Sequence, residues 1–203
     1  MAAEPEAEDR IRAACDAKAF DRAATIALET YGDELMSYLV ALLRNATDAD
    51  DVFAAVTESL WKNLPRFRWD SSLRTYAYTI ARRTFLKHLR DPQRARREAL
   101  STESFQAIAA RPRTRTATYL RTETKDKIAE LRAQLDPEDQ TLLILRVNRQ
   151  LPWRDVARIM RDDDDDDDDG DGGDDDDLDR RAAALRKRFE RLKDELREKA
   201  KLT

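Results

Sequence analysis

Thr47-Asp48-Ala49-Asp50-Asp51-Val52-Phe53-Ala54-Ala55-Val56-Thr57-Glu58-Ser59-Leu60-Trp61-Lys62-Asn63-Leu64-Pro65 decides the fold. It opens on a residue able to cap a helix and continues with acids that suit the positive end of a helix dipole. Val52, Val56, Leu60 and Leu64 then recur every four residues, with Phe53 and Trp61 beside them. That spacing lines one face of a helix. The stretch therefore predicts an amphipathic helix ending near Pro65.

The same signals continue on both sides. Tyr31 to Leu43 packs Leu35, Met36, Leu39, Val40, Leu42 and Leu43 so densely that a helix buried over most of its girth is expected. Upstream, Ile11, Ala14, Ile26 and Leu28 mark a first helix only sparsely, and residues 1 to 9 are expected to be disordered. Downstream of a loop at Arg66 to Ser72, the face Leu73, Ala77, Ile80, Ala81, Phe85 and Leu89 predicts a helix that Asp91-Pro92 stops. Residues 93 to 120 lack apolar periodicity and read as a linker, with a short helix around Phe105.

Helical pattern resumes at Ile128, Leu131 and Leu135. Asp136-Pro137-Glu138-Asp139 is a strong helix start, since Asp caps and Pro fits the first turn. Leu142, Leu143, Leu145 and Val147 follow, and Leu151-Pro152 opens a short helix through Trp153, Val156, Ala157 and Met160. A last helix from Leu178 carries Leu185, Phe189, Leu192 and Leu196 on one face and basic residues on the other. Only four glycines occur, three of them in one acidic run, so helix is favoured over strand. The fold class is all-α, as two small helical domains joined by a linker.

The net charge of −4 hides a basic body, because Asp162 to Asp177 holds thirteen aspartates and no cation; setting them aside turns −4 into +9. Arg82 to Arg97 carries seven Arg or Lys against one Asp, and Arg180 to Lys201 carries ten against four acids. Two separated basic segments suit two contacts along one polyanion. Cys15 and His88 are each the sole residue of their type, so neither a disulfide framework nor a Cys/His metal site is expected, and a reducing cytoplasm is the simplest home. The longest apolar stretch, around Leu35 to Leu43, is too short to span a bilayer. No catalytic spacing involves His88 or Cys15, so enzyme chemistry, cofactor and metal are all unexpected.

Leu64 to Arg83 interleaves arginines with aromatics at the start of a basic helix. Such a segment offers phosphate contacts together with flat faces for unpaired bases. Phe67, Trp69 and Tyr76 could equally be core residues. Asp48-Ala49-Asp50-Asp51, Leu60-Trp61, Leu64-Pro65-Arg66-Phe67-Arg68 and Tyr78-Thr79-Ile80-Ala81-Arg82 together resemble, without gaps, the sigma-2 domain of extracytoplasmic-function sigma factors of the sigma-70 family. The resemblance implies that the acid-led helix docks on the β′ clamp helices of RNA polymerase and that the following loop and helix read and help open the −10 element. It makes Asp48, Asp50, Asp51 and Glu58 candidate polymerase contacts. It makes Arg66, Arg68, Trp69, Arg74, Tyr78, Arg82, Arg83 and Lys87 candidate −10 contacts. Ala54, Tyr76 and Arg83 depart from a common Gln, Trp and Asn, which touches the promoter sequence read rather than the docking mode.

The pair of helices at Leu142 to Asn148 and Pro152 to Met160, followed by Ala183 to Leu196, reads as a helix-turn-helix unit. The segment is similar to the sigma-4 domain of the same family, which binds the −35 element in the major groove and meets the polymerase β flap. By that resemblance Arg186, Lys187, Arg188 and Arg191 face DNA and Arg154 is a phosphate contact. The turn, a few residues in the family, runs from Arg161 to Arg180 here. A loop about sevenfold longer costs about 1.7 kcal/mol to close, which a packed apolar face offsets.

Thirteen carboxylates beside a groove reader oppose DNA phosphates and attract the arginines meant for them. The run is thus expected either to brake promoter binding or to loop passively into solvent. Asp165, Asp167, Asp169, Gly170 and Asp176 fit a calcium-loop spacing, but any all-Asp run does, and no matched helix pair flanks it. The expected layout is a sigma-2 domain at 8–92, a linker at 93–120 and a sigma-4 domain at 121–203 with its acidic insert at 161–180. The expected role is a cytoplasmic initiation factor, nucleoid-associated when active, whose partners are core polymerase, promoter DNA and, by family, an anti-sigma factor. The alternatives are a helix-turn-helix regulator that never joins polymerase, and a polymerase- or anti-sigma-binding decoy held off DNA by its own acidic loop.

Overall fold

The computed structural model describes residues 3–91, 134–161 and 175–201, which fall into two compact helical units. The expected short helix near Phe105, the pattern at Ile128 and Leu131, and most of the acidic run lie outside these residues. Within them every regular element is helical, and no helix is long and apolar enough to cross a membrane.

The first unit holds α1 (Ala3–Asp16), α2 (Phe20–Leu43), α3 (Ala46–Asn63), a single 3-10 turn (Leu64–Arg66) and α4 (Leu73–Arg90). Helix α2, about 36 Å long, packs against α1, α3 and α4. Tyr31, Leu35, Tyr38 and Leu39 on α2 are buried to within a few percent, as the dense apolar pattern there requires. Two expectations change at the N-terminus. The segment expected to be disordered is helical from Ala3, because Ala7, Ile11 and Ala14 make a four-and-three stripe that is buried. The sparse pattern from Ile11 to Leu28 also proves to be two helices, separated at Lys18, whose φ of 55° turns the chain. Its neighbour's amide closes the end of α1 by donating to the Ala14 carbonyl at 2.9 Å.

Helix α3 is capped two residues before the predicted cap. Asn45, not Thr47, accepts from the amides of Thr47 and Asp48 at 2.9 and 3.3 Å. Val52, Val56, Leu60 and Leu64 are all buried, as the four-residue period demands. Helix α4 is buried over more than one face: Leu73, Thr75, Ala77, Tyr78, Ile80, Ala81, Arg82 and Phe85 are all inside.

The second unit holds α5 (Pro137–Leu143), α6 (Trp153–Ile159) and α7 (Asp175–Lys201). Asp136 caps α5 as predicted, accepting from the Asp139 amide at 2.8 Å, with Pro137 in the first turn. The chain leaves α5 through a π-helical turn, Ile144–Asn148, and Gln150 then takes a left-handed φ of 54°. Ala157, Leu178 and Ala182 form a shared cluster between α6 and α7, with Trp153 and Leu185 against it. Phe189 and Leu192 extend that stripe. Helix α7 begins three residues earlier than expected, so Asp175, Asp176 and Asp177 form its first turn instead of extended chain. Acids at a helix N-terminus complement its dipole, which offsets part of their mutual repulsion.

Candidate nucleic-acid interface

The acids of α3 separate by depth. Asp48 is buried, with its Oδ2 3.6 Å from His88 Nε2 on α4, so its assignment as a polymerase contact is corrected: the first turn of α3 leans onto α4. Asp50 is half-buried, whereas Asp51 and Glu58 are exposed. Asp51, Ala54, Ala55, Glu58, Trp61 and Lys62 form one exposed stripe at helical spacing. Lys62 donates to Glu58 along this stripe, and that hydrogen bond holds the Glu58 carboxyl below its ordinary range. Trp61, absent from the expected contacts, is 48% exposed, and its indole Nε1 donates to Asp21 Oδ1 at 2.8 Å. Its spacing from Asp51 and Glu58 was the signal.

The loop after α3 resolves the ambiguity of its aromatics. Phe67 stacks on Tyr76 with centroids 4.6 Å apart and meets Trp69 at 4.8 Å, and all three rings are half-buried. They are neither core nor free, but a short ladder of partly exposed rings. Arg66 and Arg68 flank it, exposed. Trp69 holds a φ of 63°, a strained conformation for a residue with a side chain, and the Arg12 guanidinium lies 4.9 Å from its ring centroid. Helix α4 starts directly behind. Ser72 Oγ accepts from the Thr75 amide at 3.0 Å, while Glu8, on α1, accepts from the Leu73 and Arg74 amides.

Four of the expected −10 contacts on α4 are placed differently from the single inner face read in the sequence. Tyr78 is fully buried, its ring edge-on to Tyr38 at 5.4 Å, and Arg82 is also buried, so neither is presented to a nucleic acid. Tyr78 and Arg82 lie one turn apart, outside the inner face read in the sequence, and both are covered. Arg74 is half-buried and paired bidentately with Glu34, both contacts at 2.8 Å. Arg83 is half-buried, and Lys87 is exposed.

In the second unit Arg186, Lys187 and Arg191 are exposed on α7. The Arg186 guanidinium also lies 5.6 Å from the Trp153 ring centroid, with Arg146 at 4.9 Å from the same ring. Arg154 is exposed but occupied, at 2.5 Å from Asp175 and 3.1 Å from Asp179. Arg188 departs from its expected role. It reaches Asp139 at 2.6 Å and the capping Asp136 at 3.4 Å, so it clasps α7 to the start of α5 instead of standing free for DNA. Burial pushes the Asp139 carboxyl up, against the opposing pull of Arg188. Arg188→Ala is expected to lower the stability of this unit by about 1 kcal/mol, the pair being partly exposed. The measurement is amide exchange across α5, which should accelerate; unchanged exchange would show that the clasp contributes nothing.

Cys15 is half-buried, and desolvation pushes its thiol above the ordinary value, so it is a poor nucleophile. Among the described residues no three His, Cys, Asp or Glu side chains gather as a metal site.

Residues 27–95, which span α2 to α4, match the family model for sigma-70 region 2. The chain is also similar to the RNA polymerase sigma factor YlaC of Bacillus subtilis (strain 168), 27% identical over 132 residues that cover 64% of this chain and 75% of that protein. The matched stretch contains both the exposed stripe of α3 and the aromatic ladder. Both findings support a sigma factor of the sigma-70 type with a role in transcription initiation.

Proposed function

We propose that the chain docks on core RNA polymerase through the exposed stripe of α3, captures the unpaired −10 strand with the loop at 66–72 and reads the −35 duplex with α7. One observation carries this reading: the half-buried ladder of Phe67, Trp69 and Tyr76 between exposed Arg66 and Arg68, inside the segment that matches sigma-70 region 2. Aromatic faces accept bases of any identity by stacking while arginines hold the phosphates, which suits a melted strand. Asp51 and Glu58 supply the acids of the docking stripe, and Lys87 extends the basic side of α4. On α7, Arg186, Lys187 and Arg191 are the groove-facing cations. The resemblance assigns the β′ clamp helices and the β flap as the polymerase elements met, and an anti-sigma factor as the partner that restrains the protein. The bacterial cytoplasm, and the nucleoid when active, follow from that role.

A second reading, autoinhibition by the acidic segment, is favoured by the pairing of Arg154 with Asp175 and Asp179. Asp175 and Asp179 are 80% and 64% exposed, so these pairs are screened and phosphate can displace them. Such a contact competes with DNA without locking the protein shut.

Transcription by purified core polymerase from a pool of promoter-length duplexes with randomised sequence separates the readings. With the chain added, the transcribed templates are expected to share two motifs one spacer apart. Duplex binding with no binding to core would instead identify a helix-turn-helix regulator. Core binding without transcripts, relieved when the acidic segment is replaced, would identify a decoy.

A further inference from the structure

We infer that Glu8 and Arg12, one turn apart on α1, are positioning residues that set the base-capture loop, a role that rests on the proposed −10 reading. Glu8 Oε2 accepts from the Leu73 amide at 3.0 Å, and its Oε1 accepts from the Arg74 amide at 3.1 Å and from the Tyr31 hydroxyl at 2.8 Å. A helix leaves its first amides without intrahelical partners. Here Ser72 takes the Thr75 amide, Glu8 takes the two before it, and the Tyr76 amide makes the first backbone bond, to Ser72. The cap of α4 is therefore supplied jointly by its own Ser72 and by a carboxylate 65 residues upstream.

The anion suits that place, because it meets the positive end of the helix dipole and its bonds to the amides are charge-assisted. The Tyr31 hydroxyl, itself buried, fixes the carboxylate's orientation from α2. Arg12 makes the second contact of the anchor, over the Trp69 ring at 4.9 Å. Trp69 is the strained residue of the loop, at a φ of 63°, and such a conformation persists only where its surroundings over-determine it. Phe67 packs against it at a tilt of 53° and Arg12 lies over it, while Glu8 holds the helix on which Tyr76 completes the ladder. Two residues of α1 thus determine where the loop ends and how its aromatic is turned. Neither need touch DNA. Their effect is to remove the cost of ordering Phe67 to Ser72 when a base enters.

The test uses the full chain bound to core polymerase and a pool of single-stranded DNA with six randomised positions. Binding is followed by sequencing of the retained strands. Wild type is expected to enrich a defined subset. Glu8→Ala is expected to weaken retention about tenfold, the scale of a lost helix cap, and to flatten base selectivity, while affinity for core polymerase stays within about twofold. Glu8→Gln, which keeps an acceptor, should recover part of the selectivity. Arg12→Ala, whose side chain is exposed, serves if Glu8→Ala loses its helical signal, and should flatten selectivity with unchanged stability. A wild type that enriches nothing overturns the −10 reading and this inference with it. Enrichment by wild type that Arg12→Ala and a folded Glu8→Ala reproduce in full overturns the inference alone, as does an equal loss of core binding and selectivity.

Discussion

Tyr78→Ala is expected to destabilise the first unit by about 3–5 kcal/mol, the cost of emptying a large aromatic from a close-packed site. Tyr78 has no exposed surface, and its ring packs edge-on against Tyr38, which is equally buried. Such ring pairs add about 1 kcal/mol beyond the area they bury. A marginally stable domain has a total of only about 5–15 kcal/mol to lose, so polymerase binding should fall along with folding. Tyr78→Phe keeps the ring and the packing against Tyr38, and should shift the midpoint far less, by under about 1 kcal/mol. Chemical denaturation followed by circular dichroism reads both variants. A Tyr78→Ala protein with an unshifted midpoint and weakened DNA binding would restore the contact role that the sequence suggested and remove the core role described here.

Exchanging the thirteen aspartates of Asp162 to Asp177 for serine is expected to raise the affinity of the free chain for duplex DNA about tenfold near 0.05 M salt, with the gain fading as salt rises. The exchange turns a chain of net charge −4 into one of +9. Its local effect is the release of Arg154 from Asp175, while Asp179 stays in place. The same exchange removes Asp175, Asp176 and Asp177 from the first turn of α7, where they favour the helix by a few tenths of a kcal/mol each. Far-ultraviolet dichroism therefore has to accompany the binding measurement, to show that α7 is retained. Equal affinity of both proteins at low salt would sink the brake and leave the run as a passive expansion.

The two predictions divide along the line between periodicity and proximity. Helix positions and inner faces follow from spacing along the chain, because a 3.6-residue repeat places Val52, Val56, Leu60 and Leu64 together whatever else the protein does. The cap at Asp136 is equally local, as is the apolar stripe of Leu185, Phe189, Leu192 and Leu196. The short reach of these interactions is why α3, α5 and α7 were legible. Where the local signal was weak, as in the alanine-rich α1, the reading missed a helix whose small side chains are held by burial against neighbours.

The candidate site was legible as a segment and not as a set of contacts. Arginines and aromatics between Leu64 and Arg83 marked the candidate interface, but their depth depended on which further faces of α4 were covered. Spacing assigns one face to the core; Tyr78, against Tyr38 of α2, and Arg82 are buried outside that face. Arg74 and Arg188 have the composition of DNA contacts, yet each found a carboxylate 40 or more residues away. Composition and period alone therefore established an all-helical protein with two basic segments, an acid-led amphipathic helix and an aromatic-arginine loop. Only tertiary structure decided which of those charges are already spent within the protein, and that the cap of α4 comes from Glu8, because both depend on distances that no local repeat encodes.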